Sequence, residues 1–214
     1  MNNEQKLKFE QFYQLLVETN KQFNLTRITE HDEVWNKHFF DCIELSKYIP
    51  QNVKVIDVGT GAGFPAIPLA IVRDDIRITA IDATLKRVNF VNHVAKELNL
   101  QNLTCFHARA EEWGHNTEFR EGFDIAVSRA VAPLRILAEY CLPFVKIGGK
   151  MLAMKSQNID EEVENAKEQI AELGGNSNII KKEYFIADFK HSVIIVSKAT
   201  GAPLDYPRKA KKIK

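Results

Sequence analysis

The segment Asp57-Val58-Gly59-Thr60-Gly61-Ala62-Gly63-Phe64-Pro65 is the strongest chemical signal in the chain. Glycines let a backbone turn sharply and approach a ligand with no Cβ in the way. A helix that starts behind such a turn favours a negatively charged ligand group at its N-terminus. The dinucleotide fingerprint G-x-G-x-x-G needs a glycine where Phe64 stands, which ranks a nicotinamide enzyme last. A carboxylate at position 57, two residues before the first glycine, would repel a pyrophosphate. It suits a cationic ligand instead, such as a sulfonium amino acid carrying an ammonium group.

Further candidates follow in order. Asp82 stands where a carboxylate can accept both hydroxyls of a ribose. In Ala108-Arg109-Ala110-Glu111-Glu112, backbone groups and a carboxylate suit an adenine edge. Asp82 and Glu111 also suit simple strand or helix caps, and Arg109 suits a surface ion pair with Glu111 or Glu112. Ser128-Arg129-Ala130-Val131-Ala132-Pro133 comes where such proteins carry their reacting groups. It lacks the Asx/Asp-Pro-Pro-aromatic pattern of exocyclic amine methylation, and no cysteine follows a proline, as pyrimidine C5 chemistry commonly has. An aromatic ring nitrogen such as guanine N7 fits these absences. Its lone pair is free, so in-line positioning in a water-poor site can supply most of the rate. Arg129 and Arg109 then act as clamps on phosphate or base edges.

These groups need strands that end beside one another. Residues 53–58, 76–82, 103–107, 123–128 and 150–155 read as buried strands, and 84–98, 132–145 and 158–173 as helices between them. A helix is expected near Pro65. Two further strands near 178–186 and 191–198, with a short link, predict an antiparallel hairpin. Strand–helix alternation implies a mostly parallel sheet of seven strands with helices on both faces, and ligands at the carboxyl ends of the strands. Upstream, Leu7, Phe9, Phe12, Leu15 and Leu16 mark one helix. Val34, Trp35, Phe39 and Ile43 mark a second, opened by a weak capping box of Thr29 and Asp32. The expected organisation is a helical region over 1–50 packed on a cofactor-binding domain over 51–214.

The 214 residues are 45% hydrophobic and 27% charged, with net charge +1. This suits one globular unit and shows no bulk attraction for nucleic acid. Basic residues do gather at the end: Lys198, Arg208, Lys209, Lys211, Lys212 and Lys214, a tail that could touch phosphates. Cys42, Cys105 and Cys141 are far apart and form no CxxC pair, so neither a zinc site nor a redox pair is expected. No signal sequence or membrane span is read, and a cytoplasmic monomer without metal is expected.

These segments together resemble the bacterial small-subunit ribosomal RNA guanine-N7 methyltransferases, the RsmG or GidB family. The likeness rests on the glycine turn with Ile67-Pro68-Leu69-Ala70, on Arg109-Ala110-Glu111-Glu112, and on Ser128-Arg129-Ala130-Val131-Ala132-Pro133-Leu134. Asn24-Leu25-Thr26, Trp35-Asn36-Lys37-His38 with Asp41, Lys86-Arg87 with Phe90, Gly148-Gly149 with Lys155, and Tyr206-Pro207-Arg208-Lys209 extend it over nearly the whole chain. Ala66 stands where the family often has glycine, and Thr60 where serine is common. The resemblance implies a class I methyltransferase Rossmann-like fold with N-terminal helices, using S-adenosylmethionine. It implies methyl transfer to N7 of a guanine in the 530 loop of 16S rRNA, on free rRNA or the small subunit. It implies cofactor contacts at Gly59, Phe64, Ala110, Glu111 and Arg129, beside the residue-level candidates Asp57, Gly61, Gly63 and Asp82. Acceptor or catalytic roles fall on Arg129, His38 and Asn24, and RNA contacts on Arg109, Lys155, Arg208 and Lys209. The alternatives are a class I methyltransferase for a protein or small molecule and a non-catalytic rRNA-binding assembly factor.

Overall fold

A computed structural model describes residues 1–155 and 159–209. The tail cations Lys211, Lys212 and Lys214 and the first residue of the helix expected from 158 lie outside the described residues.

The chain opens with α1 (Asn3–Asn20), held by a reciprocal cap in which Gln5 N donates to Asn2 Oδ1 at 2.8 Å and Asn2 N to Gln5 Oε1 at 3.0 Å. It buries Phe9, Phe12 and Leu16. The next helical stretch runs through α2 (His31–Val34), a π-helical turn over Trp35–Phe39 and α3 (Phe40–Leu45). Its expected Thr29–Asp32 capping box does not form. The helix starts behind Glu30 without a side-chain cap, Asp32 Oδ1 instead meets the imidazole of His31 at 3.1 Å, and the Thr29 carbonyl accepts from Tyr13 Oη at 3.0 Å. A π turn adds a residue to the winding and is frequent at functional sites; here it carries Lys37 and His38.

Then come β1 (Lys54–Val58), α4 (Ala66–Val72), β2 (Arg77–Asp82), α5 (Leu85–Glu97), β3 (Leu103–His107), α6 (Ala110–Trp113) and β4 (Phe123–Arg129). They are followed by α7 (Leu134–Cys141), β5 (Val145–Lys155), α8 (Asp160–Glu172), β6 (Ile180–Ile186) and β7 (Phe189–Ser197). The helix read over 132–145 is shorter because residues 142–144 tighten into a 3-10 turn, and β5 begins five residues before its expected start at 150.

The seven strands form one sheet in the order β3-β2-β1-β4-β5-β7-β6. The pairs from β3 to β5 are parallel, while β7 runs antiparallel to both β5 and β6. Apolar side chains fill both faces. One layer gathers Phe9, Phe12, Phe39, Leu69 and Val91 from the N-terminal helices, α4 and α5; the other gathers Leu137, Cys141, Ala166 and Ile170 from α7 and α8. The order reverses between β1 and β4, so the loops after these two strands diverge and open a crevice at their carboxyl ends.

Candidate active site

The loop behind β1 turns through left-handed backbone at Gly59 (φ 75°), Gly61 (φ 60°) and Gly63 (φ 89°). Its two flanking aspartates brace it. Asp57 Oδ2 accepts from Ala66 N at 3.2 Å, and Asp82 Oδ2 accepts from Gly61 N at 3.0 Å. Asp82 Oδ1 also takes Thr84 N at 2.8 Å, and Arg87 stands 3.6 Å from this carboxylate. Asp57 is fully buried beneath the turn, and burial pushes its carboxyl up to about 7 against the N–H of Ala66. Among the described residues, Asp57 Oδ1 and Thr60 Oγ1 are buried with no hydrogen-bond partner.

Above the turn lies a cavity of about 440 Å³, lined by Gly59, Thr60, Gly61, Phe64, Asp82 and Arg129 among others. That size suits a small-molecule ligand. A second cavity of about 630 Å³ adjoins it and shares His38, Arg129, Ala130 and Val131. It extends to Lys37, Asp41, Lys155, Glu162 and His191.

Arg129 sits at the junction of the two. Its guanidinium lies 4.8 Å from the Phe64 ring centroid and donates to Lys37 O at 3.2 Å and to Asp41 Oδ2 at 3.4 Å. The contact with Phe64 is a cation–π pair, worth about 0.5–2 kcal/mol. Nη2 approaches His38 Nδ1 at 3.1 Å. The same Nδ1 lies 3.0 Å from the Lys37 carbonyl, and Nε2 meets Thr26 Oγ1 at 3.2 Å, so both ring nitrogens are engaged. Burial and the charge of Arg129 push His38 down to about 4, so its ring is neutral near pH 7. The ring also packs on Phe64, 4.7 Å between centroids.

Asp41 links three elements. Tyr184 Oη donates to Oδ1 at 2.7 Å, His191 Nδ1 lies 3.2 Å from the same oxygen, and Arg129 takes Oδ2. Burial alone would raise this carboxyl, but the bonds from His191 and Tyr184 and the charge of Arg129 hold it below the usual range.

The loop behind β4 is fixed separately. Ala130 adopts φ 56°, Lys155 Nζ donates to Ala132 O at 2.8 Å, and Glu162 Oε1 joins Lys155 Nζ and Leu134 N, each at 2.5 Å.

The remaining expected residues lie as follows. Gly59, Gly61, Phe64, Asp82, His38 and Arg129 all line the first cavity. Gly63 and Asp57 lie below that lining, as supports of the turn. Ala110 and Glu111 open α6 outside it, with Glu111 3.8 Å from the exposed Arg109. Asn24 is exposed beside the lining residues Leu25 and Thr26. Lys155 lines the second cavity with its ammonium committed to the loop behind β4. Arg208 lines neither cavity. Its Nη2 pairs at 2.8 Å with Glu139, whose side chain is fully buried, and its backbone N donates to the same carboxylate at 2.5 Å. Lys209 is exposed. Lys198 does not belong to a solvated tail: its side chain is buried, 2.8 Å from Glu121 and 2.7 Å from Leu142 O. Thr26, Glu162, Tyr184 and His191 were not expected. Asp41 had a signal, three residues from His38 and hence on the same helical face; the hairpin pair Tyr184 and His191 had no local one.

A sheet of this order, with a glycine turn behind the first strand and an aspartate closing the second, defines a class I S-adenosylmethionine-dependent methyltransferase. The fold is shared with a SAM-dependent methyltransferase from Aquifex aeolicus, at TM-score 0.57 and 17% identity over 84% of this chain and 97% of that one. The chain belongs to the rRNA small subunit methyltransferase G (GidB) family, whose pattern matches residues 5–184. Proteins named ribosomal RNA small subunit methyltransferase G are 44% identical to it in Clostridium botulinum over 97% of this chain and 88% of the relative. In Brevibacillus brevis the figures are 44% over 98% and 90%.

Proposed function

We propose that this enzyme methylates N7 of a guanine in the 530 loop of 16S rRNA, presented as rRNA or in the small ribosomal subunit, in the cytoplasm and as a monomer. The observation that carries this reading is the pair of cavities meeting at Arg129, one above the glycine turn and one beside the loop behind β4. At that junction His38 is held neutral near pH 7, and the carboxylate of Asp41 is engaged by Arg129, Tyr184 and His191. A guanine N7 needs no base, because its lone pair is already free.

The first cavity fits the cofactor by its size and by the glycine backbone that a ligand can approach closely. When bound, S-adenosylmethionine supplies an electrophilic methyl on a sulfonium. Gly59, Gly61 and Phe64 would hold its amino-acid end, Asp82 its ribose hydroxyls, and Ala110 and Glu111 its adenine. Gly63 and Asp57 act from beneath, by shaping the turn. Around the acceptor, Arg129 orients the base edge, His38 packs beside the Arg129 fork, and Asn24 at the rim contacts the nucleotide. Arg109 and Lys209, both exposed, are the cations open to phosphates. Lys155 and Arg208 would serve RNA binding mainly by fixing the loop behind β4 and the C-terminal segment.

The test mixes purified protein, labelled cofactor and unmodified small subunits. Label should enter the rRNA and give N7-methylguanine-specific strand scission. Gly59→Asp should abolish transfer, since a bulky anion would enter the cavity. Label confined to another base position, or full activity of Gly59→Asp, would refute the reading.

A further inference from the structure

The hairpin of β6 and β7 has two chemically different faces. Its register pairs Tyr184 with His191, Phe185 with Lys190 and Ile186 with Phe189. Cross-strand partners share a face and neighbours alternate. Tyr184, Ile186, Phe189 and His191 therefore line one face, and Phe185 and Lys190 the other.

The first face is a graded path. At its inner end, Tyr184 and His191 hold Asp41 beside the second cavity. At its outer end, Phe189 remains 47% exposed, although it stands on the face whose inner part is tied to the core. The Lys37 ammonium lies 4.8 Å from its ring centroid. Lys37 and His191 both line that second cavity together with Arg129. Phe189 thus stands beside Lys37, a lining residue of that cavity. A lone exposed phenylalanine means little. One beside a nucleotide pocket offers a flat π-face for a base, and here the Lys37 ammonium, ion-paired with Glu33, braces one side of the ring and leaves the other for stacking.

We infer that Phe189, with Lys37, forms a stacking shelf for an unpaired nucleobase adjacent to the acceptor. The inference rests on the reading of the substrate as RNA. An acceptor held by its base alone can swing, whereas a stacked neighbour fixes the strand direction as it enters the cavity. Phe185 supplies an internal control. It is more exposed, at 69%, and stands on the opposite face.

The test measures steady-state methylation of small subunits, with cofactor binding followed separately by calorimetry. Phe189→Ser should raise KM for the subunit roughly 5- to 160-fold, the range for losing one base–aromatic stack, with cofactor affinity unchanged. Phe189→Trp should retain activity, and Phe185→Ser should leave KM within twofold of the parent. Phe189→Leu keeps the bulk and removes the π-face; it should behave like the serine variant and serves if that one does not fold. A parental KM in the leucine variant, or an equal rise in Phe185→Ser, overturns the shelf. Failure of the parent itself to methylate the subunit would instead overturn the underlying reading of the substrate.

Discussion

Two glycines of the same turn should fail in different ways when each gains one methyl group. At Gly61 the backbone has φ 60°, and an added Cβ would meet nothing within 4 Å. The cost is the left-handed conformation alone, about 1–2 kcal/mol, partly offset by about 0.4–1 kcal/mol from a less flexible unfolded chain. At Gly63, with φ 89°, the Cβ would fall 2.2 Å from Ile67 Cδ1 and 2.8 Å from Cγ1. Ile67 is fully buried and cannot swing clear. Overpacking adds about 1–3 kcal/mol to the backbone term, so Gly63→Ala should lose about 2–5 kcal/mol. For a chain of this size each kcal/mol moves Tm by about 2–4 °C. Gly61→Ala should therefore melt only slightly below the parent, and Gly63→Ala about 4–20 °C below it. Binding reverses the order of interest. The open space beside Gly61 is the cavity itself, so its new methyl displaces ligand and should weaken S-adenosylmethionine about 10- to 200-fold. Thermal melts with and without cofactor, and calorimetry on the folded variants, give both readouts. Parental cofactor affinity in Gly61→Ala, or parental Tm in Gly63→Ala, would refute the assignment of the turn.

Four further outcomes are expected. Asp57 titrates at about 7 in the folded protein against 3.8 ordinarily. Between these values the folded state keeps a proton that the unfolded chain has released, so this group's contribution is largest in acid and declines as pH rises through 7, by up to ~4 kcal/mol. Stability-versus-pH curves of the parent and Asp57→Asn should converge or cross in that window with the parent losing ground; parallel curves would contradict it. His38, held at about 4 against 6.5, works the other way: the unfolded chain takes up the proton first, so stability is lost as pH falls from 6.5 towards 4, and His38→Gln should flatten that limb of an acid melt. Lys155→Met and Glu162→Gln should each lower kcat by loosening the loop behind β4, and the double variant should be little worse than either. If Lys155 instead bound a phosphate directly, its variant alone would reduce the salt slope of RNA binding by about one. Arg208→Ala removes the counter-charge of the buried Glu139 carboxylate and leaves it the backbone N–H of residue 208; it should cost up to about 3–5 kcal/mol, read as a lower Tm, with the Arg208→Met/Glu139→Gln pair costing less.

The strands and the glycine turn were legible in the chain because both are written locally. A buried parallel strand is a run of apolar residues, and a ligand turn needs glycines where φ is positive, so Lys54–Val58 and Gly59, Gly61 and Gly63 announce themselves. Phe64, Arg129 and Asp82 could be nominated as site residues from their places behind strand ends. What the local pattern could not hold was the partner of each polar group. Asp57 and Asp82 brace the turn through Ala66 and Gly61. Lys155 and Arg208 look like free cations in sequence, yet meet Glu162 and Glu139 in space. The network around Asp41 joins residues from a π turn, β4 and a hairpin more than 140 positions away. Only the insertion of β7 beside β5 brings Tyr184 and His191 to it. Hydrophobic periodicity determines which elements exist, because burial is read residue by residue. The pairing of buried charges depends on how those elements pack, and this only the assembled sheet decided.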